Sequence, residues 1–366
     1  MASKTVLVST FNNSNNNYGA VFQACALSAK LKNLGYDASF LTLKERKGRF
    51  SAATKKSLVQ HAKQLASNIL SLPTKALRDR RTRRFNEFTK QTQKQCVYEN
   101  NETLLQNPPH ADVYLSGSDQ VWNPLTIHDE FFFPFVQEKE LVVSYAASMG
   151  TETVPVEHEA LFSQYMARFD SISVREDTMV DVIRKYTDKS ITQNIDPVFL
   201  LSASEWLSYA KPYEKLKYKK YIFLYLIDWN KKDIDRLLTL KKETGLPLVL
   251  VTLGGRSRGF ADQTIFDASP EEFLYLLANA EMVVASSFHG TALSIVFNKP
   301  FVAVAGTAKP ARIKSLLRHF SLEGHNTLDI SMQNALVDYE PVNRQILKDQ
   351  KEAEDYLVKA FSIEKM

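Results

Sequence analysis

The stretch that most constrains this chain is Met282–Val304, MVVASSFHGTALSIVFNKPFVAV. The apolar run Met282–Ala285 stops at Ser286-Ser287-Phe288-His289-Gly290. A helical apolar pattern follows (Ala292, Ile295, Val296), Asn298-Lys299-Pro300 breaks it, and Phe301–Ala305 is apolar again. Strand, small-residue turn, helix, strand is a βαβ unit, and such a unit commits its strands to a parallel sheet. His289 and a helix start then lie at the carboxyl end of a strand. Open α/β sheets bind ligands there, and helix N-termini attract anions. An anionic or sugar-phosphate substrate is therefore the first expectation.

The same alternation fills the rest of the chain. Lys4–Ser9 reads as a strand, Asn12–Asn17 as a polar loop, Ala20–Leu34 as a helix stopped by Gly35, and Ala38–Leu43 as the next strand. Val113–Ser116, Leu141–Ala146, Ser171–Val174 and Ile191–Ile195 read as further strands. The pattern restarts after Leu201 with strand Tyr221–Ile227, helix Lys231–Thr244, strand Leu246–Leu253 and helix Pro270–Ala280. A chain of 366 residues exceeds the usual reach of one core. The expected fold is α/β, with two doubly wound units facing a cleft. The expected divisions are residues 1–203, residues 204–335, and a C-terminal stretch 336–366. Within that last stretch, Gln345–Phe361 reads as a helix packing back on the first unit.

Charge is unevenly distributed. From Lys44 to Lys94 there are 15 Lys and Arg against Glu45, Asp79 and Glu87, a surplus of 12 in a chain whose net charge is +5. The stretch 44–95 reads as a basic helical insertion in the first unit. Its densest part, Lys75–Arg84, suits an anionic membrane surface or a pyrophosphate-linked substrate, and equally a solvated helix face. Few aromatics interleave with it, so nucleic acid is not expected as a partner. Two cysteines, Cys25 and Cys96, make no pairing or zinc motif, which fits a reducing cytoplasm. The first apolar run, Val6–Val8, is too short for a leader or a membrane span.

Each candidate residue carries a bland reading beside the chemical one. His289 has the placement of a functional histidine, and also that of a buried one bonding its own loop. Ser286, Ser287, Gly290 and Thr291 let a ligand approach the backbone, but a short Ser/Gly loop is weak alone. Asn17-Tyr18-Gly19 reads equally as a structural turn and as a ligand loop. Neither GxGxxG nor GxxxxGK[ST] occurs, so a dinucleotide fingerprint and a P-loop are both missing. After a strand come Gly117-Ser118-Asp119-Gln120-Val121-Trp122. Asp119 suits a sugar hydroxyl or a helix cap, and Trp122 suits a sugar ring or the core. Arg175 and Arg312 are candidate forks for carboxylate or phosphate, or surface ion pairs. HExxH does not occur, and Asp233-Ile234-Asp235 falls inside an amphipathic helix. No metal and no cofactor is expected.

Taken together, these segments resemble the polysaccharide pyruvyltransferase family. The matching pieces are NYGAVFQACAL (Asn17–Leu27), YLSGSDQVWNP (Tyr114–Pro124), SYAASMG (Ser144–Gly150), ISVRE (Ile172–Glu176), DPVFLL (Asp196–Leu201), SSFHGTALSIVFNKPFV (Ser286–Val302) and ARIKSLL (Ala311–Leu317). They keep the family's order over roughly residues 5–320.

The resemblance implies two Rossmann-like domains arranged as in GT-B glycosyltransferases. It implies transfer of pyruvate from phosphoenolpyruvate to a sugar as a cyclic ketal, with release of phosphate. The acceptor would belong to a surface polysaccharide or its lipid-linked precursor. His289, Arg175 and Arg312 would lie near the donor, with Ser286, Ser287, Gly290 and Thr291. Asn17, Tyr18, Gly19, Ser118 and Trp122 would lie on the acceptor side. His289 is the expected acid/base or phosphate contact, and Asp119 the acceptor-side base. Many members have Arg-Leu-His where this chain has Ser287-Phe288-His289, so the missing cation must come from elsewhere, with Arg312 or Lys309 the candidates. A nucleotide-sugar glycosyltransferase and a non-catalytic glycan-assembly protein are the alternatives.

Overall fold

A computed structural model describes residues 3–12, 16–50, 72–227, 229–254, 259–304, 310–326 and 331–364. Lys309 and residues 51–71 of the basic stretch lie outside the described residues.

In the first unit the elements run β1 (Thr5–Ser9), α1 (Tyr18–Asn33), β2 (Asp37–Leu43), α2 (Lys75–Thr92), β3 (Lys94–Tyr98), α3 (Asn101–Gln106), β4 (Val113–Ser116), β5 (Leu141–Ser144), α4 (Val156–Ala167), β6 (Ile172–Val174), α5 (Asp177–Ile183) and β7 (Ile191–Gln193). The second unit follows with α6 (Ala203–Tyr209), β8 (Ile222–Tyr225), α7 (Lys231–Thr244), β9 (Leu248–Val251), β10 (Gln263–Ile265), α8 (Pro270–Ala278), β11 (Met282–Ala285), α9 (Phe288–Val296), β12 (Phe301–Ala303), α10 (Pro310–His319) and α11 (Met332–Ala335). A long helix, α12 (Tyr339–Phe361), closes the chain.

Both large sheets are parallel and share one winding. The first has the order β3-β2-β1-β4-β5 and the second β10-β9-β8-β11-β12. In each, the direction of winding reverses between the central strands: β1 and β4 in one, β8 and β11 in the other. The carboxyl ends beside that reversal are where open α/β sheets leave a crevice. Isolated bridges Val143↔Ser171 and Ala147↔Val174 carry the first sheet on to the β6–β7 pair. Two Rossmann-like units in a GT-B-like arrangement result, as expected from the sequence.

The strands form where the sequence is apolar without interruption. β8, β9 and β11 are buried at every position, as parallel strands covered on both faces must be. α7 shows the local signals plainly: Asn230 accepts from the backbone N–H of Lys232 and Asp233, and Gly245 ends the helix at φ +68°.

The described part of the stretch 44–95, read from the sequence as an insertion, has a different place in the fold. α2 is the crossover from β2 to β3, and β3 pairs in parallel with β2 from Ser39↔Lys94 to Leu43↔Tyr98. Three arginines of its densest block reach the second unit. Arg81 donates to the carbonyls of Thr252, Phe266 and Leu253, Arg80 pairs with Asp267, and Arg84 with Glu272. Much of the charge that suggested a membrane surface is therefore directed at the other half of the same chain.

One apolar core crosses between the units. Tyr18 and Phe22 of α1 and Phe85 and Phe88 of α2 pack with Trp206 of α6, Phe223 of β8 and Phe273 of α8. Each buried ring is worth roughly 1.5–3 kcal/mol. A surface ion pair contributes about 0–1 kcal/mol, so apolar packing dominates the union. α12 lies against the first unit: Tyr356 donates to the Ser144 carbonyl, Gln350 to that of Phe199, and Lys30 pairs with Glu354.

Candidate functional site

The two reversal points face each other, and their side chains meet around Asp196. This carboxylate follows β7 and is 1% exposed. Its Oδ1 accepts from the Val198 backbone N–H at 3.0 Å, which caps the turn begun by Pro197. Its Oδ2 accepts from Arg175 Nη1 at 2.7 Å and from Ser118 Oγ at 3.1 Å. The same oxygen lies 3.5 Å from Nε2 of His289, which comes from the second unit. Burial pushes the Asp196 carboxyl up, but His289, Arg175 and the Val198 N–H together hold it well below the usual carboxylate range.

Arg175, at the end of β6, is buried between two carboxylates. Its Nε donates to Glu176 Oε1 at 2.9 Å, and its guanidinium carbon stands 4.2 Å from the centre of the Phe288 ring. Burial would disfavour its charge, yet Glu176 and Asp196 more than offset that and raise its affinity for the proton. Glu176 Oε1 also accepts from Ser148 Oγ at 3.0 Å, while Glu176 Oε2 is buried without a partner among the described residues. Arg175 is thus a neutralised structural cation at the wall of the site.

Arg312, on α10, is different. Among the described residues its nearest carboxylate oxygen, Asp119 Oδ1, is 4.0 Å away, and its Nε is buried without a hydrogen-bond partner. Burial and the neighbouring Arg175 both lower its affinity for the proton. It lines a cavity of about 210 Å³ together with Arg175, Asp196 and Phe288. Among the described residues its Nε and Arg175 Nη2 are the guanidinium nitrogens of this cluster buried without a hydrogen bond, and Arg175 Nη2 already stands 2.9 Å from Glu176 Oε1.

Asp119 stands at the end of β4 with φ +74°, an unusual conformation for a residue with a side chain. Its carbonyl accepts from the Ser148 N–H at 2.9 Å and its carboxylate from the Gln120 N–H at 2.9 Å. Strained backbone of this kind costs about 1–3 kcal/mol and gathers at functional sites.

His289 occupies a slot made by the first unit. A Cβ built on Gly19 would stand 2.0 Å from its Nδ1, so only glycine fits there. Asn17 caps α1 by accepting from the Gly19 N–H. Ser287 caps α9 by accepting from the Gly290 N–H at 2.9 Å, and its carbonyl accepts from Thr291 Oγ1. Ser286 Oγ accepts from the Ile227 N–H.

The structure therefore gathers Ser118, Asp119, Arg175, His289 and Arg312 in one place, with Gly19 against the histidine. It places two candidates elsewhere. Trp122 is fully buried among Phe132 and Phe169, leaving no face for a sugar. Tyr18 is also buried, its hydroxyl donating to the Ala268 carbonyl and its ring stacked on Phe273. Asp196, the hub, is a residue that the sequence reading did not single out beyond the DPVFLL segment. Its signal there is only Asp before Pro, which equally marks a turn.

A family profile for polysaccharide pyruvyl transferases matches residues 17–307. The chain belongs to this family. The match runs from the Asn17 loop through the Ser286–Gly290 turn, so it includes the second reversal point and the β4 side of the first. No curated protein matches the chain in sequence. Among solved structures, the UDP-GlcNAc 2-epimerase of Methanocaldococcus jannaschii superposes with a TM-score of 0.53 at 11% identity. That match covers 95% of this chain and 91% of the other. The UDP-GlcNAc 2-epimerase of Neisseria meningitidis, bound to UDP-GlcNAc, gives 0.51 at 13% identity and covers 97% and 98%. At such identities the likeness is one of fold. The family match makes the chain a transferase of the pyruvyl class. No described helix is long and apolar enough to cross a membrane.

Proposed function

We propose that the chain transfers pyruvate from phosphoenolpyruvate to two hydroxyls of a sugar, forming a cyclic ketal in a surface polysaccharide or its lipid-linked precursor. In the reaction the methylene carbon gains a proton and C2 becomes electrophilic. One sugar oxygen bonds to C2, the C2–O bond to phosphate breaks, and the second sugar oxygen closes the ring. Of the two hydroxyl protons, one is balanced by the new methyl group and the other leaves with phosphate.

Family membership supports the reaction class, and Arg312 carries the assignment of the donor's place. Its unpartnered Nε lies at a small cavity, and a donor with a carboxylate and a phosphate needs such a fork. Arg175 stays with Glu176 and Asp196 and shapes the wall. His289 moves the proton to the methylene carbon, and Asp119 takes one from the sugar. The cation that Ser287 does not supply comes from α10.

Calorimetry with phosphoenolpyruvate, against phosphate, UDP and UDP-GlcNAc, tests the donor. Phosphate release from phosphoenolpyruvate over a panel of glycosides and surface-glycan extracts tests the reaction. Selective binding and acceptor-dependent release are expected. Binding of a uridine nucleotide in place of phosphoenolpyruvate would move the chain to sugar-nucleotide chemistry. No ligand and no release would leave a glycan-assembly protein without catalysis.

A further inference from the structure

Asp196 and His289 come from different units, yet the histidine ring is oriented almost wholly by the first. On one side Nε2 faces Asp196 Oδ2 at 3.5 Å. On the other, Nδ1 lies against Gly19 so closely that no larger residue fits. Asp196 is itself fixed by Arg175, Ser118 and the Val198 N–H. Such a carboxylate has little freedom to turn away, since each partner holds it from a separate element.

Among the described residues Nε2 is buried without a hydrogen bond, and the acceptor facing it is that fixed oxygen. A separation of 3.5 Å is slightly too long for a bond. Catalytic hydrogen bonds are often long without ligand and tighten when the site fills. An imidazole whose one nitrogen is held by a carboxylate presents the other nitrogen in a defined protonation state.

We infer that Asp196 is the positioning residue of His289: it accepts a hydrogen bond from the Nε2–H and so fixes the tautomer, with Nδ1, beside Gly19, the unprotonated nitrogen of the ring. This rests on the reading that His289 acts on the donor, but the tautomer is measurable without any substrate. Asp196 lines the cavity beside the ring, and the role assigned to it is exerted through His289. Ser118 and Arg175 act one step further out, by keeping Oδ2 in place.

Long-range ¹⁵N–¹H spectra of the full chain at pH 8, with His289 identified by its loss in His289→Gln, decide the point. The expected neutral ring carries its proton on Nε2. In Asp196→Asn the amide NH₂ faces the ring, and the proton moves to Nδ1. With the acceptor found by the glycan panel, Asp196→Asn is expected to lower kcat at least 100-fold, a larger factor than its weakening of phosphoenolpyruvate binding. Gly19→Ala keeps every charge and serves if Asp196→Asn does not fold. It is expected to shift the His289 ring signals and to lower kcat at least tenfold. An Nδ1–H ring in the unaltered protein, an unchanged tautomer in Asp196→Asn, or a Gly19→Ala variant with unmoved ring signals overturns the inference. Failure of phosphoenolpyruvate chemistry in the unaltered protein would refute the functional reading alone, with the spectra still deciding the role of Asp196.

Discussion

Arg81 of α2 donates from one nitrogen to the carbonyl of Thr252 at 2.9 Å and to that of Phe266 at 3.0 Å, just past the ends of β9 and β10. A second nitrogen reaches the Leu253 carbonyl at 3.2 Å. Arg81 is 4% exposed and comes from the opposite unit. Charge-assisted bonds are worth more than neutral ones, and buried carbonyls left unpaired cost about 1–3 kcal/mol. Arg81→Ala is expected to lower the unfolding free energy by roughly 3 kcal/mol, read as the midpoint of urea denaturation. Arg83, on another face of the helix, serves as the control, with a change expected within about 0.5 kcal/mol.

His128 supplies a pH dependence. Burial first, and the Arg46 guanidinium second, push its imidazole down to about 4. The ring packs edge-on against Phe11 and Phe131. The unfolded chain returns it to about 6.5. Above that pH the ring is neutral in both states and the full stability is present. As pH falls from about 6.5 towards 4, the unfolded chain takes up the proton and the folded chain does not, so stability declines. The loss is roughly 2–3 kcal/mol across the window. Urea midpoints at pH 7 and pH 4.5 measure it, and His128→Gln is expected to flatten that slope.

Much of this fold is legible in the sequence, and what escapes has physical reasons. α7 and β11 match their predicted bounds because capping residues and uninterrupted apolar runs mark them. β3 and β10 go unread because KQCVY and QTI lie at sheet edges and carry polar residues, so neither period stands out. The place of His289 can be read from one strand and one turn. Asp196 cannot, because its partners Ser118 and Arg175 are 78 and 21 residues away, and His289 lies in the other unit. Trp122 follows small residues in a turn and so resembles a ligand platform. The chain instead folds Phe132 and Phe169 over it, a packing that residue spacing does not reveal.

Tyr18 separates a structural role from an acceptor role. It is 1% exposed, and its hydroxyl donates to the Ala268 carbonyl at 2.7 Å across the junction of the units. Tyr18→Phe keeps the ring on Phe273 and leaves that carbonyl unpaired. A destabilisation of about 1–2 kcal/mol is expected, measured by thermal unfolding. If stability held and glycan affinity fell instead, the residue would belong to the acceptor site.

The two arginines of the site should fail in opposite ways. Arg175 neutralises Glu176 and Asp196 in the interior, at 2.9 and 2.7 Å. Removing one partner of a buried pair strands the other, at a cost of about 3–5 kcal/mol. Arg175→Ala is therefore expected to lose most of its effect through stability, visible as a large fall in the urea midpoint. Among the described residues Arg312 has no such bond to break: its side chain is 20% exposed, its closest carboxylate oxygen is 4.0 Å away, and its Nε is unpartnered. Arg312→Ala should leave the midpoint within about 0.5 kcal/mol. It should weaken phosphoenolpyruvate binding roughly 10- to 100-fold, about 1.4–2.7 kcal/mol by calorimetry. The reverse pattern, a fold-breaking Arg312→Ala beside a stable Arg175→Ala that no longer binds the donor, would transfer the anion grip to β6. It would also recast α10 as a strut between the units.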